Sequence, residues 1–370
     1  MLLSIARRLT NALVATLISV SVHSEILIGQ SVPTSGALAP FGTATAKGAQ
    51  AYFDRVNAAG GVNGERIRVV VVDDAGDSKR TVENARQLAG QGVVALFGSI
   101  EGGPCTALLP VVAELRIPLV ACMAGSPQLR EPFNPYAFTV RAPHVLEFDA
   151  LIKHAAQHGL SRLAFVHSDS DTGRLHLANV TRLAKENGVS LVAAIALPGK
   201  PDIGALAKQI QRAKADCVLN HGGYATYAEL LKAMRALGSD ATFLAVNSGG
   251  EQLAKAMGKG AAGVVMSQIA PYPWARSTPI QRDYQDDLHA ALPNEPFGFS
   301  SMEGYVSARL LVEGLRKAGA RPTRERLTAA LERMNRIDLG GYDVRYVPGK
   351  HDGADFVDLT MIRADGGFLR

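Results

Sequence analysis

The segment Asn57-Ala58-Ala59-Gly60-Gly61-Val62-Asn63-Gly64, running on into Val69-Val70-Val71-Val72-Asp73-Asp74, restricts the fold of this chain more than any other stretch. Ahead of it, Ala46, Ala49, Ala51, Tyr52 and Val56 recur at helical spacing. They stop at a glycine pair, where the residue past a helix end takes positive φ. A glycine turn then leads into a four-valine run that reads as a buried strand closed by two aspartates. Helix, tight turn and strand in direct succession form the repeating unit of an α/β fold.

The unit recurs along the chain. Ile26-Leu27-Ile28-Gly29 reads as a strand, Pro33-Thr34-Ser35-Gly36 as a loop, and 44–58 as a helix. Strand-like runs follow at 67–72, 93–97 and 117–121, each succeeded by a turn and a helix-period segment. Such alternation requires right-handed crossovers and a parallel sheet. After Phe138-Thr139-Val140-Arg141-Ala142-Pro143 the pattern restarts, with strands at 163–166, 191–196, 217–219 and 243–246. Helices are expected between them at 173–187, 202–214 and 226–237. Pro271-Tyr272-Pro273-Trp274 reads as a connector, because two prolines prevent regular structure there. Helices are expected again at 278–291, 301–318 and 323–334.

Residues 1–24 stand apart: Arg7 and Arg8 precede an apolar run from Ala12 to Val22, and Val22-x-Ser24 offers small residues for signal-peptidase cleavage. The run is short for a bilayer span. The expectation is export to the periplasm, with an uncleaved anchor as the alternative. The 370 residues are 47% hydrophobic and 6% aromatic, enough apolar material for two domain cores. The formal net charge is +5, and no basic stripe gathers, so nucleic acid is not an expected partner. Cys105 and Cys122 each follow an apolar strand-like run and either pair at one sheet edge or remain buried thiols, with Cys217 left over.

The glycine turn and Ala75 to Leu88 resemble the first β-α-β unit of the type I periplasmic solute-binding family, the leucine/isoleucine/valine-binding proteins of ABC importers. Ser301-Met302-Glu303-Gly304-Tyr305 and Gly340-Gly341-Tyr342 resemble a proteobacterial subgroup of it. The resemblance implies an α/β fold of two lobes, each a parallel sheet flanked by helices, with three crossovers at a hinge near 141, 271 and 349. The N-terminal lobe would comprise 25–141 and 272–348, the C-terminal lobe 142–271 and 349–370. A family disulfide falls on Gly76 and Glu101 here and is therefore missing. The implied function is capture of a small ligand (an amino acid, an amide, or an organic or aromatic acid) by hinge closure and delivery to an inner-membrane ABC permease, by a monomer with no cofactor and no catalysis. A periplasmic sensor acting on a separate signalling partner is the alternative.

Ligands of open parallel sheets lie beyond the carboxyl ends of strands. Gly98-Ser99-Ile100-Glu101-Gly102-Gly103-Pro104-Cys105 suits a carboxylate at a helix start, with Pro104 in the first turn, although an ordinary strand–helix turn would look the same. By the resemblance, Gly102 stands where the family has a ligand-holding serine, losing the hydroxyl but keeping a backbone donor; Gly102 and Gly103 together let an anion approach the backbone closely. Met123 and Gly125 fall on a second family loop that has lost its threonine. Phe41 falls on an aromatic wall, or is core, and Ile100 is a further candidate wall. On the second lobe Thr172-Gly173 matches a Tyr-Gly step, and Gly222-Gly223-Tyr224 a Gly-Gly-Tyr loop whose register is open by one residue. Asn247 replaces the carboxylate that pairs with an amino-acid ammonium, which argues against an ordinary α-amino acid unless Glu101 or Asp169 substitutes.

Other signals carry less. Asp171-Thr172-Gly173 spells an aspartic-protease triplet, but no second one exists to form a dyad. His154 and His158 have a metal-compatible spacing without a third ligand, and a solvated helix face is expected. No nucleophile elbow and no close glycine pattern after the first strand support a hydrolase or a dehydrogenase.

Overall fold

The computed structural model describes residues 25–247 and 249–370, so the leader expected over 1–24 and Ser248 lie outside the described residues. In its first part β1 (Glu25–Val32), α1 (Ala39–Ala58), β2 (Arg66–Asp73), α2 (Ser78–Gly90), β3 (Ala95–Phe97), α3 (Gly102–Leu115), β4 (Leu119–Val120) and β5 (Ala137–Phe138) alternate as expected. The sheet order is β2-β1-β3-β4-β5, with every pairing parallel. Alternation along β1 sends Ile26 and Ile28 into the core on one face and Leu27 into that on the other, as a strand covered on both sides must.

The chain then forms α4 (His144–Gln157), β6 (Arg162–Ser168), α5 (Asp171–Glu186), β7 (Ser190–Leu197), α6 (Ile203–Arg212), β8 (Cys217–His221), α7 (Tyr224–Ala236), β9 (Thr242–Ala245), α8 (Gly250–Met257) and β10 (Val265–Gln268). These strands repeat the same order, β7-β6-β8-β9-β10. Leu163 and Phe165 pack against α4 and α5, and Ala164 and Val166 on the other face. Helix starts are fixed by side chains that accept from otherwise unpaired N–H groups: Asp77 from Arg80, Ser170 from Gly173, and Asp202 from Ala205.

Three helices, α9 (Pro279–Ala291), α10 (Phe299–Ala318) and α11 (Arg324–Glu332), return to the first sheet, where α10 lies along α1. Two glycines set that contact. A Cβ on Gly48 of α1 would stand 1.8 Å from the Ser301 carbonyl oxygen, and one on Gly304 of α10 would stand 2.0 Å from that of Thr45. The backbones therefore touch, a closeness that only glycine permits.

Several expectations change. The four-valine run is not buried: β2 is an edge strand, and Val71 is exposed. Its two closing aspartates organise the loop after β1. Asp73 accepts from the backbone of Thr34 and Ser35, and Asp74 from the hydroxyls of Ser31 and Thr81. Helix α1 starts at Ala39 rather than 44, because Pro40 fits a first turn where its missing N–H costs nothing. Beyond α11, β11 (Asn335–Asp338), β12 (Asp343–Val347) and β13 (Lys350–Gly353) form a small antiparallel sheet. The stretch 349–353, expected with the second lobe, is bonded instead to Thr139 through the His351 carbonyl. The chain joins the second sheet only at β14 (Asp358–Ile362), antiparallel to β10, followed by β15 (Phe368–Leu369).

Cys105 and Cys122 are disulfide-bonded, which decides between the two alternatives left open, and Cys217 is a buried free thiol. Among the described residues no helix is long and apolar enough to cross a membrane.

The glycine contact is testable. Gly304→Ala should destabilise by about 1–3 kcal/mol, the usual cost of overpacking a tight contact, read as a lower urea midpoint. An unchanged midpoint would mean that α1 and α10 do not touch through their backbones.

Candidate functional site

Because both sheets share one strand order, each has a switch point at which crossovers leave in opposite directions: between β1 and β3, and between β6 and β8. Loops at the carboxyl ends of these strands part there and leave a crevice. The two crevices face one another across a cleft of about 350 Å³. From the first sheet come Phe41, Glu101, Gly102, Gly103, Met123 and Ser126, and from the second Ser168, Ser170, Thr172, His221, Gly223 and Asn247. Arg141 and His144, at the crossing between the sheets, form the base.

Three helices begin at this cleft: α3 after Glu101, α5 after Ser170, and α7 after Gly223. First-turn N–H groups have no acceptor within their own helix, and the helix dipole adds partial positive charge. The lining is thus rich in donors suited to an anion. Gly173 allows one of these starts, since a Cβ there would stand 1.9 Å from the Ser168 carbonyl oxygen.

The base is ionic. Arg141, 4% exposed, donates from Nη1 to the Met123 carbonyl at 3.2 Å and from Nη2 to that of Asn247 at 3.3 Å. Its Nε lies 3.6 Å from Glu303 Oε1. Fully buried Glu147 accepts from Ser267 Oγ at 2.6 Å, from Asn247 N at 3.0 Å and from His144 Nδ1 at 2.8 Å. Burial alone would raise the Glu147 carboxyl, but the His144 hydrogen bond, the charges of His144 and Arg141, and the Ser267 hydroxyl bring it down to about 2. The ionised carboxylate only accepts, so His144 Nδ1 carries the proton. Beside His144, burial holds His176 at about 3 and His221 well below the usual imidazole range, so both stay neutral.

Glu101 combines charge and strain. Its φ of +73° and ψ of 152° fall in a region that side chains rarely enter, at a cost of about 1–3 kcal/mol. Burial pushes its carboxyl above the usual carboxylate range, a rise that the charges of Arg141 and His144 only partly offset.

Of the residues singled out from sequence, Phe41, Gly102, Gly103, Met123, Thr172 and Asn247 are brought together on the cleft surface. Three are not. Ile100 is buried behind Phe41 and Met123, because its β-bridge to Met123 turns it into the core. Gly125 supports His144, whose ring a Cβ would meet at 2.7 Å. Tyr224 sits at the rim, its hydroxyl 3.4 Å from the Ala37 carbonyl across the cleft. Asn247 lines the cleft with its amide turned away, donating to Gln268 Oε1 at 2.7 Å. Of the proposed substitute acids, Glu101 lines the cleft and Asp169 is exposed to solvent. Sequence reasoning missed Ser126, Arg141, His144, His176 and His221 as site residues. The signal available was His144-x-x-Glu147 at a helix start, where a carboxylate three residues on can hold an imidazole.

The periplasmic binding protein family model matches residues 25–367. A Leu/Ile/Val-binding protein of Rhizobium johnstonii is 27% identical over 96% of this chain and 94% of its own length. Among solved structures, an extracellular ligand-binding receptor from Verminephrobacter eiseniae superposes with a TM-score of 0.86 at 26% identity, covering 94% of this chain and 100% of that one. A branched-chain amino acid ABC transporter protein of Thermus thermophilus with bound valine shares the fold, with a TM-score of 0.81 at 22% identity over 94% of this chain and 95% of that one.

Two outcomes follow from the site. Glu101→Gly relieves the backbone and should leave stability equal or higher by calorimetry; a loss above about 1 kcal/mol would refute the strain. The neutral histidines fix a pH dependence. His176 faces His144 and Glu147 of α4, His167 of β6 and His221 of β8. An unfolded chain protonates its imidazoles below about 6.5, whereas native His176 waits until about 3. Its contribution is therefore complete above pH 6.5 and lost as pH falls towards 3, at about 1.4 kcal/mol per pH unit. His176→Phe should flatten the pH dependence of urea unfolding between 6.5 and 4; an unchanged slope would show that native His176 is protonated there.

Proposed function

The chain belongs to the periplasmic binding protein family, and from that premise we propose that it captures a small anionic or polar solute in the cleft and hands it to an ABC permease of the inner membrane. It is a solute-binding protein of the Leu/Ile/Val-binding type, not an enzyme. The observation that carries the solute class is the convergence of three helix starts on one cleft. Gly102 and Gly103 would receive a carboxylate, each charge-assisted bond contributing roughly 1.5–3 kcal/mol. Ser126 adds a hydroxyl, and Phe41 and Met123 supply apolar wall.

Asn247 remains the argument against an ordinary α-amino acid. Its amide nitrogen is engaged by Gln268, so it offers an ammonium no charge, only a neutral amide oxygen. An amide or a small organic or aromatic acid suits the lining better, and an amino acid would have to take Glu101 as its counter-ion. Closure would be favoured by contacts made only when both sides meet. Among the described residues such hydrogen bonds run from Gln128 Nε2 to Thr172 Oγ1 at 2.7 Å, from Tyr224 to Ala37 and from Phe299 N to Glu251 Oε1. The closed monomer would be the form that docks on the permease.

A thermal-shift screen of the purified, refolded protein tests this. A solute at 100 times its dissociation constant stabilises by about 2.7 kcal/mol. Small carboxylates and amides should shift the midpoint, and Gln128→Ala should weaken the best of them several-fold, the worth of about one hydrogen bond. Response only to zwitterionic branched-chain amino acids would refute the reading of Asn247. Response only to solutes without an anionic or amide group would refute the role of the helix starts.

A further inference from the structure

Three histidines that the solute reading does not use meet at the base of the cleft. His144 opens α4, His176 lies in α5 and His221 ends β8. One ring nitrogen from each lies within 4.8 Å of the others, and the ring centroids are 4.2–5.2 Å apart. The cluster is backed by Phe148, whose ring is 5.2 Å from His176 and 5.8 Å from His221. His176 is 0% exposed, yet neither of its ring nitrogens has a hydrogen-bond partner among the described residues, and His221 Nδ1 has none either. Buried polar atoms left unsatisfied cost about 1–3 kcal/mol each, so three in one place are a heavy burden for a fold that could have used leucine or phenylalanine.

We propose that His144, His176 and His221 form a binding site for a divalent transition-metal ion of the Zn²⁺ type, with Glu147 as the outer carboxylate that orients His144. Three imidazoles are a donor set suited to Zn²⁺, Ni²⁺ or Cu²⁺. The hydrogen bond from His144 Nδ1 to Glu147 leaves Nε2 to coordinate, the arrangement by which carboxylates commonly fix metal-bound histidines. Bonds of about 2.0–2.1 Å require the donor atoms to draw together by somewhat over an ångström, within reach of side-chain rotation. His144 and His221 also line the cleft. An ion held by three protein ligands would keep a coordination position open to it, available to water or to the anionic end of a solute. That last role rests on the solute-binding reading; the ion site itself does not.

The test is a Co²⁺ titration of untagged, chelator-treated protein without any solute, followed by displacement with Zn²⁺. The expected result is saturation at one equivalent, with visible d–d bands of a nitrogen-ligated site that Zn²⁺ abolishes. His176→Phe, which places a second phenylalanine beside Phe148, should lose this binding by more than the about 10–100-fold typical of an outer-shell change. His221→Asn serves as the second variant, with a cooperative melt confirming that each is folded. His158→Ala should bind as before, since it breaks only the His154–His158 pair, at the exposed His158. Absence of saturable binding by the folded protein would overturn the proposal, as would undiminished binding by folded His176→Phe and His221→Asn. Either result leaves the solute screen intact, and a silent screen beside a saturating Co²⁺ band would refute the solute reading alone.

Discussion

Arg141 is the constraint on which the cleft depends. A guanidinium 4% exposed, at the point where the chain leaves one sheet for the other, must have its charge answered from within the protein. The answers come from both sides of the cleft: the carbonyls of Met123 and Asn247, and the carboxylate of Glu303 on α10. One residue thereby fixes the loop after β4, the loop after β9 and a helix from the returning segment. Arg130 braces its backbone, donating to the Arg141 carbonyl at 2.8 Å. Replacing a buried ion pair outright can be neutral, but removing one member leaves an uncompensated charge and costs about 3–5 kcal/mol. The network is thus better understood as a device for specifying geometry than as a source of stability.

The same crossing carries the other strands of the hinge. Tyr342 donates to the Ile269 carbonyl at 3.0 Å, Ala354 N donates to the Val140 carbonyl at 2.9 Å, and Tyr346 donates to that of Thr139 at 2.6 Å. All three passages of the chain between the sheets are stitched within a few residues of Arg141. The disulfide acts on the same loops from the other side. Cys105 lies in the first turn of α3 and Cys122 immediately before Met123, so the bond ties together two loops that line the cleft. Rigid loops and a short, shared hinge are what closure needs if binding energy is to move one lobe against the other rather than distort the site.

The sequence made the alternation of strand and helix legible, because buried parallel strands need continuous apolar runs and their covering helices need a 3.6-residue period. It could not show that β2 is an edge, since four valines look the same paired on one side or on two. Nor did it show the small antiparallel sheet: β11 and β13 are four residues each and carry Arg336 and Lys350, and in β12 the alternation of buried Val344 and Tyr346 with Asp343 and Arg345 spans only five residues. Within the site, loops after strands pointed to Gly102, Gly103, Met123, Thr172 and Asn247. Ile100 and Gly125 lie in those same loops but face inward, and a loop's sequence does not say which of its residues turn toward solvent. The histidines were hidden for a different reason. His154 and His158 drew attention by spacing on one helix, whereas His144, His176 and His221 belong to three elements that only the 2-1-3-4-5 order of the second sheet brings together.

The walls and the floor of the cleft differ in the kind of group they offer. On the walls these are backbone amides, at the start of α3 from the first sheet and of α5 and α7 from the second, fixed in direction and independent of pH. At the floor are His176 and His221, whose imidazoles stay neutral and give a lone pair rather than a proton. An anion alone would engage only the amides, and the neutral rings would contribute little to holding it. An ion held by the rings changes that balance, since it supplies positive charge from the second-lobe side, where His176 and His221 reside. Glu101 lines the same cleft with a carboxyl that burial pushes up, so added positive charge facing it would favour its ionised form. The strain in its backbone is the cost of keeping that group in place.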